Sequence, residues 1–446
     1  MTTMTASRAV TAAETIDVLR SHILVDGFHV VADLQASRGA HLHDAVSGDD
    51  FLDFYAFFAS QPVSYNHPRM REPEFQARLL TAALTKVANS DVYTRFYAQF
   101  VRTLEEAAGV PELPHYFFID GGALAVENAL KAAFDWKVRK NLAAGRGELG
   151  TRVIHFRQAF HGRTGYTLSL TNTADPRKTM YFPKFDWPRI DNPVIRFDLP
   201  EPQRTQDVAA REQEALRQIE EAVARHPYDV ACIVIEPIQG EGGDNHFRGE
   251  FLRALRDVCG RHELLLIFDE VQTGVGITGR MWCCQHFDVL PDILCFGKKM
   301  QTCGIMAGTR LDEVDGVFKV PSRINSTWGG NLVDMVRATQ YLRIIQEEGL
   351  VERAADTGDY LLEGLQRLAG KHACVSAPRG RGLMCAFDLP DTETRDRLKD
   401  ACRERRMLVL PCGVRSIRFR PMLDVATDDI DRGLEILDDA LASLSA

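Results

Sequence analysis

Nowhere among the ten cysteines is there a CxxC pair, and the neighbours Cys283 and Cys284 cannot easily bridge each other. Zinc-ligand spacing and a disulfide framework are both missing, so the thiols are expected to be reduced and buried, as in a cytoplasmic protein. No apolar run approaches the roughly 20 residues that span a bilayer. The opening MTTMTASRAVTAAETIDVLR has neither a basic n-region nor an apolar h-region, so export is not expected. A formal charge of −9 with no basic cluster argues against nucleic acid as a partner. Internal repeats and low-complexity tracts are missing too. What is present is 45% hydrophobic and 26% charged residues, the balance of a globular protein, spread over 446 positions. That length exceeds one ordinary core and predicts two or three packed units.

The middle of the chain alternates strands and helices, which predicts a mainly parallel sheet covered on both faces. ACIVIEPI (231–238), LLLIFDE (264–270) and DILCF (292–296) are buried, β-branched strand candidates. EQEALRQIEEAVARH (212–226) and FRGEFLRALRDVCGRH (247–262) carry apolar residues at helical spacing, Leu216, Ile219 and Val223 in the first, Phe251, Leu252, Leu255 and Val258 in the second. The last hundred residues change character. NLVDMVRATQYLRIIQEEG (331–349) reads as a long helix stopped by Gly349, and a second helix comes next over roughly 351–369. Strands GLMCAFDL and SIRFRPML and a closing helix from Thr427, read as its N-cap, complete an α+β unit. The expected division is a large domain over 60–330, a smaller one over 331–446, and residues 1–59 packing on the smaller one.

Ligands of open parallel sheets bind beyond the carboxyl ends of the strands. Three successive strand candidates end there in Glu236, Asp269 and Lys298. Each alone reads equally as a turn cap or a solvated loop residue. Two acids and a lysine on one sheet edge read instead as a site, since a lysine weakened by burial can bond to an aldehyde. A neighbouring carboxylate could hold a protonated pyridine nitrogen, which makes pyridoxal 5'-phosphate a candidate cofactor. DGGALAVENALKAAFDWK (120–137) puts Gly121 and Gly122 before a helix, a backbone shape that favours phosphate. RINSTWGGN (323–331) adds the hydroxyls of Ser326 and Thr327 beside a second Gly-Gly.

Together FDEVQTG (268–274), IEPIQGEGG (235–243), AFHGRTGYTLSLT (159–171) and the Gly-Lys at 297–298 resemble the class III (ω-amino acid) aminotransferases, pyridoxal phosphate enzymes of fold type I. Within that family GGALAVENALKAAFDWK, FPKFDWPRI, FGKK, PSRINSTWGGN and PRGRGLMCAF resemble the lysine 6-transaminase branch. The resemblance implies roles for matching positions. Lys298 would bond to the cofactor aldehyde and later carry the proton, with Lys299 as the alternative. Asp269 would pair with the pyridine nitrogen, Glu236 would support the site, Phe160 would stack on the ring, and Gln272 would lie beside the hydroxyl. Gly122 and Ala123 would donate N–H groups to the phosphate, and Thr327 would reach it from a neighbouring subunit, implying a homodimer with shared sites.

The same resemblance implies L-lysine, reacting at its ε-amine, as donor and 2-oxoglutarate as acceptor. Arg163 would hold the distal carboxylate of either one, and Arg418 the carboxylate beside the reacting carbon of the acceptor. With lysine bound, Arg418 would face methylenes unless Glu241 paired with it, and Gly240, Gly242 and Gly243 suggest a mobile backbone for that exchange. Another donor of the class, ornithine or 4-aminobutyrate, is the nearest rival. An aminomutase, needing no separate acceptor, and a cofactor-binding regulator are more distant ones.

Overall fold

A computed structural model of the chain describes residues 9–444, so the first eight residues of the 1–59 segment and the last two of the chain lie outside the described residues. The buried apolar segments of the middle of the chain build one sheet of seven strands. In chain order these are β1 (His115–Ile119), β2 (Arg152–Phe156), β3 (Arg189–Ile190), β4 (Val230–Ile235), β5 (Leu265–Asp269), β6 (Ile293–Phe296) and β7 (Cys303–Ala307). Their spatial order is β1-β7-β6-β5-β4-β2-β3. Strand β7 runs antiparallel to both of its neighbours, and every other pairing is parallel.

Strands β4, β5 and β6 are buried at every position, which is why they read as continuous apolar runs rather than alternating ones. The alternation survives in where the side chains go. Leu265 and Ile267 pack with the helix Gly122–Ala143 through Ala125, Val126 and Ala129. Leu266 and Phe268 point to the opposite face, into a core shared with Phe251, Leu252 and Leu255 of the helix Gly249–Arg261. Two layers of helix therefore sandwich the sheet and leave only its ends for a ligand.

A second, antiparallel sheet joins Ser376–Arg381, Met384–Asp388, Ser416–Phe419 and Leu410–Cys412 in that order. The helices Leu350–Lys371, Thr392–Glu404 and Thr427–Leu444 belong to the same stretch of chain. Gly349 takes φ 61° between the helices Leu332–Glu347 and Leu350–Lys371, the left-handed conformation that makes it a stop. At Thr427 the structure differs by one residue: the carbonyl of Ala426 accepts from Ile430 N–H, so the threonine is already the first helical residue. Near the start of the chain the strand Asp50–Asp53 pairs in parallel with Met407–Leu408, which stitches the leading segment to the C-terminal stretch.

Candidate active site

Parallel pairing in register puts the carboxyl ends of β4, β5 and β6 side by side: Phe268 lies opposite Ile235 and Asp269 opposite Cys295. Glu236, Asp269 and Lys298 therefore come together at one edge, lining a pocket of about 390 Å³. Lys298 has φ 47°, a left-handed backbone that a residue with a side chain adopts at a cost and that is common where geometry serves chemistry. Burial, helped by the charges of Arg418 and Arg420, brings its amine down to about 8. Its neighbour Lys299 is only 2% exposed and turns the other way, with its ammonium donating to the carbonyl of Gln61 at 3.3 Å.

The carboxylates at this edge are held by different means. Glu236 accepts from the N–H groups of Phe160 at 2.9 Å and Gly240 at 3.2 Å. Burial nevertheless raises it to about 7, against the opposing pull of His161. Asp269 accepts from Val271 N–H at 3.1 Å through one oxygen, and the other lies 2.7 Å from His161 Nδ1. A carboxylate only accepts, so Nδ1 carries the proton. For His161 burial works downward, but the hydrogen bond and charge of Asp269 outweigh it and hold the imidazole above its ordinary value. Its Nε2 is buried without a partner. His161 was missed as a site residue although it lies inside the same motif as Phe160 and Arg163.

One end of the pocket is the start of the helix Gly122–Ala143. Gly121 takes φ 98° there, and a Cβ on Gly122 would sit 2.8 Å from Val271 Cγ1. Those two glycines let the helix start close over the strand ends, with its free N–H groups turned to the pocket that Gly122 and Ala123 line. Phe160 and Gln272 also line it. Thr327 is not among the lining residues; it sits exposed on its loop, its carbonyl accepting from Ser90 Oγ at 3.2 Å.

Charged groups gather at the other end. Arg163 lines the pocket, with its guanidinium 5.9 Å from the centre of the Phe160 ring. Arg418 Nη2 donates to Glu241 Oε2 at 2.5 Å and Nη1 to Gln272 Oε1 at 3.4 Å. Arg420 Nε shares that Gln272 oxygen at 3.0 Å, and the same guanidinium is paired with the fully buried Asp244. Arg420 was readable as the next basic residue after Arg418, one position past the end of the strand Ser416–Phe419, and it meets Arg418 at Gln272. Lys178 was not. It ends a single 3-10 turn, Pro176–Lys178, and its ammonium donates to the second oxygen of Glu241. The glycines around Glu241 correct the expectation of a mobile backbone. A Cβ on Gly240 would lie 2.4 Å from Gln272 and one on Gly242 2.1 Å from the Gln158 carbonyl, while Gly413 N–H holds the Glu241 carbonyl at 2.9 Å. Gly240 and Gly242 are there because neighbours press against the turn, and Gly243 takes φ 133°.

The family model for class III aminotransferases matches residues 25–441, nearly the whole chain. The chain belongs to that family. A curated L-lysine-epsilon aminotransferase of Mycobacterium tuberculosis is 54% identical over 440 residues, covering 98% of this chain and 97% of the relative. One of Amycolatopsis lactamdurans is 50% identical over 449 residues, with 99% of each covered. A solved structure of lysine aminotransferase from M. tuberculosis in the internal aldimine form superposes with a TM-score of 0.95 at 54% identity, covering 98% of this chain and 100% of that one. This aminotransferase has the fold type I architecture, and its cofactor is pyridoxal 5'-phosphate. The pocket fits that group. It has a helix start for a phosphate, an aromatic wall, a carboxylate opposite a lowered lysine amine, and an unpartnered imidazole nitrogen among them.

Proposed function

We propose that this chain is an L-lysine 6-transaminase, moving the ε-amine of L-lysine to 2-oxoglutarate to give 2-aminoadipate 6-semialdehyde, which cyclises on its own α-amine, and L-glutamate. The reading rests on the ion pair between Glu241 and Arg418, supported by the names of the relatives. Arg418 is 4% exposed in its side chain and is neutralised by the protein itself. Such a pocket suits a donor with no carboxylate beside the reacting carbon.

In this reading Gly122 and Ala123 donate to the cofactor phosphate, Phe160 packs on the ring, and Asp269, oriented by His161, faces the pyridine nitrogen. Pyridoxal phosphate, when bound, supplies a sink for the electron pair left behind when the C–H bond next to the amine breaks. Lys298 would hold the cofactor through its aldehyde and, with its amine free again, would take the proton leaving the ε-carbon and deliver it to the former aldehyde carbon. With its amine lowered to about 8, an appreciable fraction is a neutral base near neutral pH. Arg163 takes the carboxylate at the far end of either substrate. Glu241 covers Arg418 while lysine reacts and leaves it when the keto acid arrives.

The reading extends to a homodimer in which Thr327 reaches the partner's phosphate site, to the division at residues 60 and 331, and to a cytoplasmic location. Exposed apolar side chains, among them Leu84 (77%), Tyr93 (77%) and Tyr181 (92%), are available for a partner subunit to cover. The test is L-glutamate formation from 2-oxoglutarate with L-lysine, L-ornithine or 4-aminobutyrate as donor, and identification of the cyclised product. Equal or better turnover with either rival donor, or product formation without any keto acid, would overturn the assignment.

A further inference from the structure

The Glu241 carboxylate is shared between two cations, one for each oxygen. Oε2 accepts from Arg418 at 2.5 Å, and Oε1 accepts from the ammonium of Lys178 at 2.5 Å. The two cations come from separate parts of the chain. Arg418 is on the strand Ser416–Phe419 and Lys178 ends a short turn of 3-10 helix, Pro176–Lys178. They also differ in surroundings: the Arg418 side chain is 4% exposed, that of Lys178 18%. The Lys178 ammonium lies 5.9 Å from the centre of the Phe160 ring, at the rim of the site already described.

The turn at 240–243 is packed against Gln272, Gln158 and Gly413, so the direct way for Glu241 to leave Arg418 is rotation of its own side chain. Its carboxylate then moves on a short arc inside a partly buried region. Left there alone it would be an uncompensated charge, which disfavours the open state. Lys178 already holds the other oxygen. When a substrate carboxylate takes Arg418, two matched pairs result, substrate with Arg418 and Glu241 with Lys178. We propose that Lys178 is a positioning residue that retains Glu241 when Arg418 is released, so that the dicarboxylate acceptor meets an electrically balanced site. This rests on the two-substrate reading of Glu241 above.

The test is made on the holoenzyme with two unreactive probes, glutarate and hexanoate, whose affinities are measured by calorimetry. Glutarate has a carboxylate for each arginine; hexanoate has one, for Arg163. Lys178→Met is expected to weaken glutarate roughly fivefold and hexanoate by less than about twofold, the scale of a partly exposed ion pair. Lys178→Arg is expected to stay close to the parent for both. In a Glu241→Gln background the Lys178→Met penalty on glutarate should vanish, because the lysine acts only through that carboxylate. A penalty that persists there, no penalty in the parent, or equal weakening of both probes would overturn the proposal. The two-substrate reading fails separately, if Glu241→Gln alone changes the amine and keto-acid half-reactions equally.

Discussion

The two ends of the active site are built in opposite ways. At the cofactor end, Glu236, Asp269 and Lys298 come from three adjacent parallel strands, and one sheet edge positions them all. At the substrate end, Arg163 and Glu241 come from loops, Lys178 from a short 3-10 turn and Arg418 from a strand of a different sheet. The acids of the first end, Glu236 and Asp269, are buried and held by backbone N–H groups; at the second, Glu241 is part-exposed and shared by two cations. A transaminase needs both properties, since the cofactor stays put while two unlike substrates alternate. Substitutions at the first end should therefore harm both half-reactions alike, and substitutions at the second should separate them.

The largest effect is expected at Lys298. Lys298→Ala should lower turnover by more than about a thousandfold in both half-reactions, with the unfolding midpoint of the cofactor-free protein not lowered, because a buried amine is removed. Single-turnover rates with lysine and with 2-oxoglutarate check this; retention of either rate breaks the assignment. Lys299→Met, one residue along, should keep the chemistry, since that amine faces Gln61 and not the pocket.

Next comes Asp269→Asn, expected to cost roughly a hundredfold in both half-reactions through loss of the charge opposite the pyridine nitrogen. It has a second signature. Asp269 is what holds His161 above its ordinary value against burial, so in the variant His161 should lose its proton at lower pH, measurable by NMR titration of the imidazole.

Glu236 gives a smaller, pH-dependent effect on stability. Its folded value of about 7 stands above the ordinary 4.5, so the unfolded chain ionises first and stability is lost as pH rises from 4.5 through 7. Glu236→Gln removes that loss, at a pH-independent cost: its one carbonyl accepts from only one of the Phe160 and Gly240 N–H groups, and its amide NH2 faces the other. Relative to the parent, the variant should gain about 2 kcal/mol of stability between pH 5 and pH 8 in the cofactor-free protein. Urea midpoints at the two pH values check it, and an equal difference at both would mean that Glu236 is ionised throughout.

The same contrast explains what could be seen in the sequence. The strands around the cofactor announce themselves because continuous burial makes each a short apolar run, and the first residues past each run lie at the ligand edge by topology alone. Glu236, Asp269 and Lys298 were legible for that reason. At the substrate end no local pattern says that Ser416–Phe419 of the second sheet will aim Arg418 at Glu241, 177 residues away. The resemblance to a family supplied that pair; periodicity did not. Lys178 lay beyond both, in a 3-10 turn too short to show a period and outside any motif. The glycines at 240 and 242 were visible but ambiguous, because freedom and close packing call for the same residue, and only the nearby Gln272 and Gln158 decide between them.

The smallest expected effect is the one that separates the half-reactions. Removing the Glu241 carboxylate leaves Arg418 facing the methylenes of a bound lysine with its charge unpaired, and the penalty for an uncompensated charge in a buried place falls on that half-reaction. Glu241 is 24% exposed, so water screens part of the loss, and roughly tenfold is expected rather than the hundredfold of a fully buried pair. The keto-acid half-reaction brings its own carboxylate to Arg418 and no longer has to displace a competitor. Its rate at low 2-oxoglutarate should be unchanged or higher in Glu241→Ala. Single-turnover rates for the two halves, compared as a ratio, carry the result. A ratio equal to the parent's would mean that Glu241 is a fixed part of the wall, and the difference between the two ends of the site would then be one of burial alone.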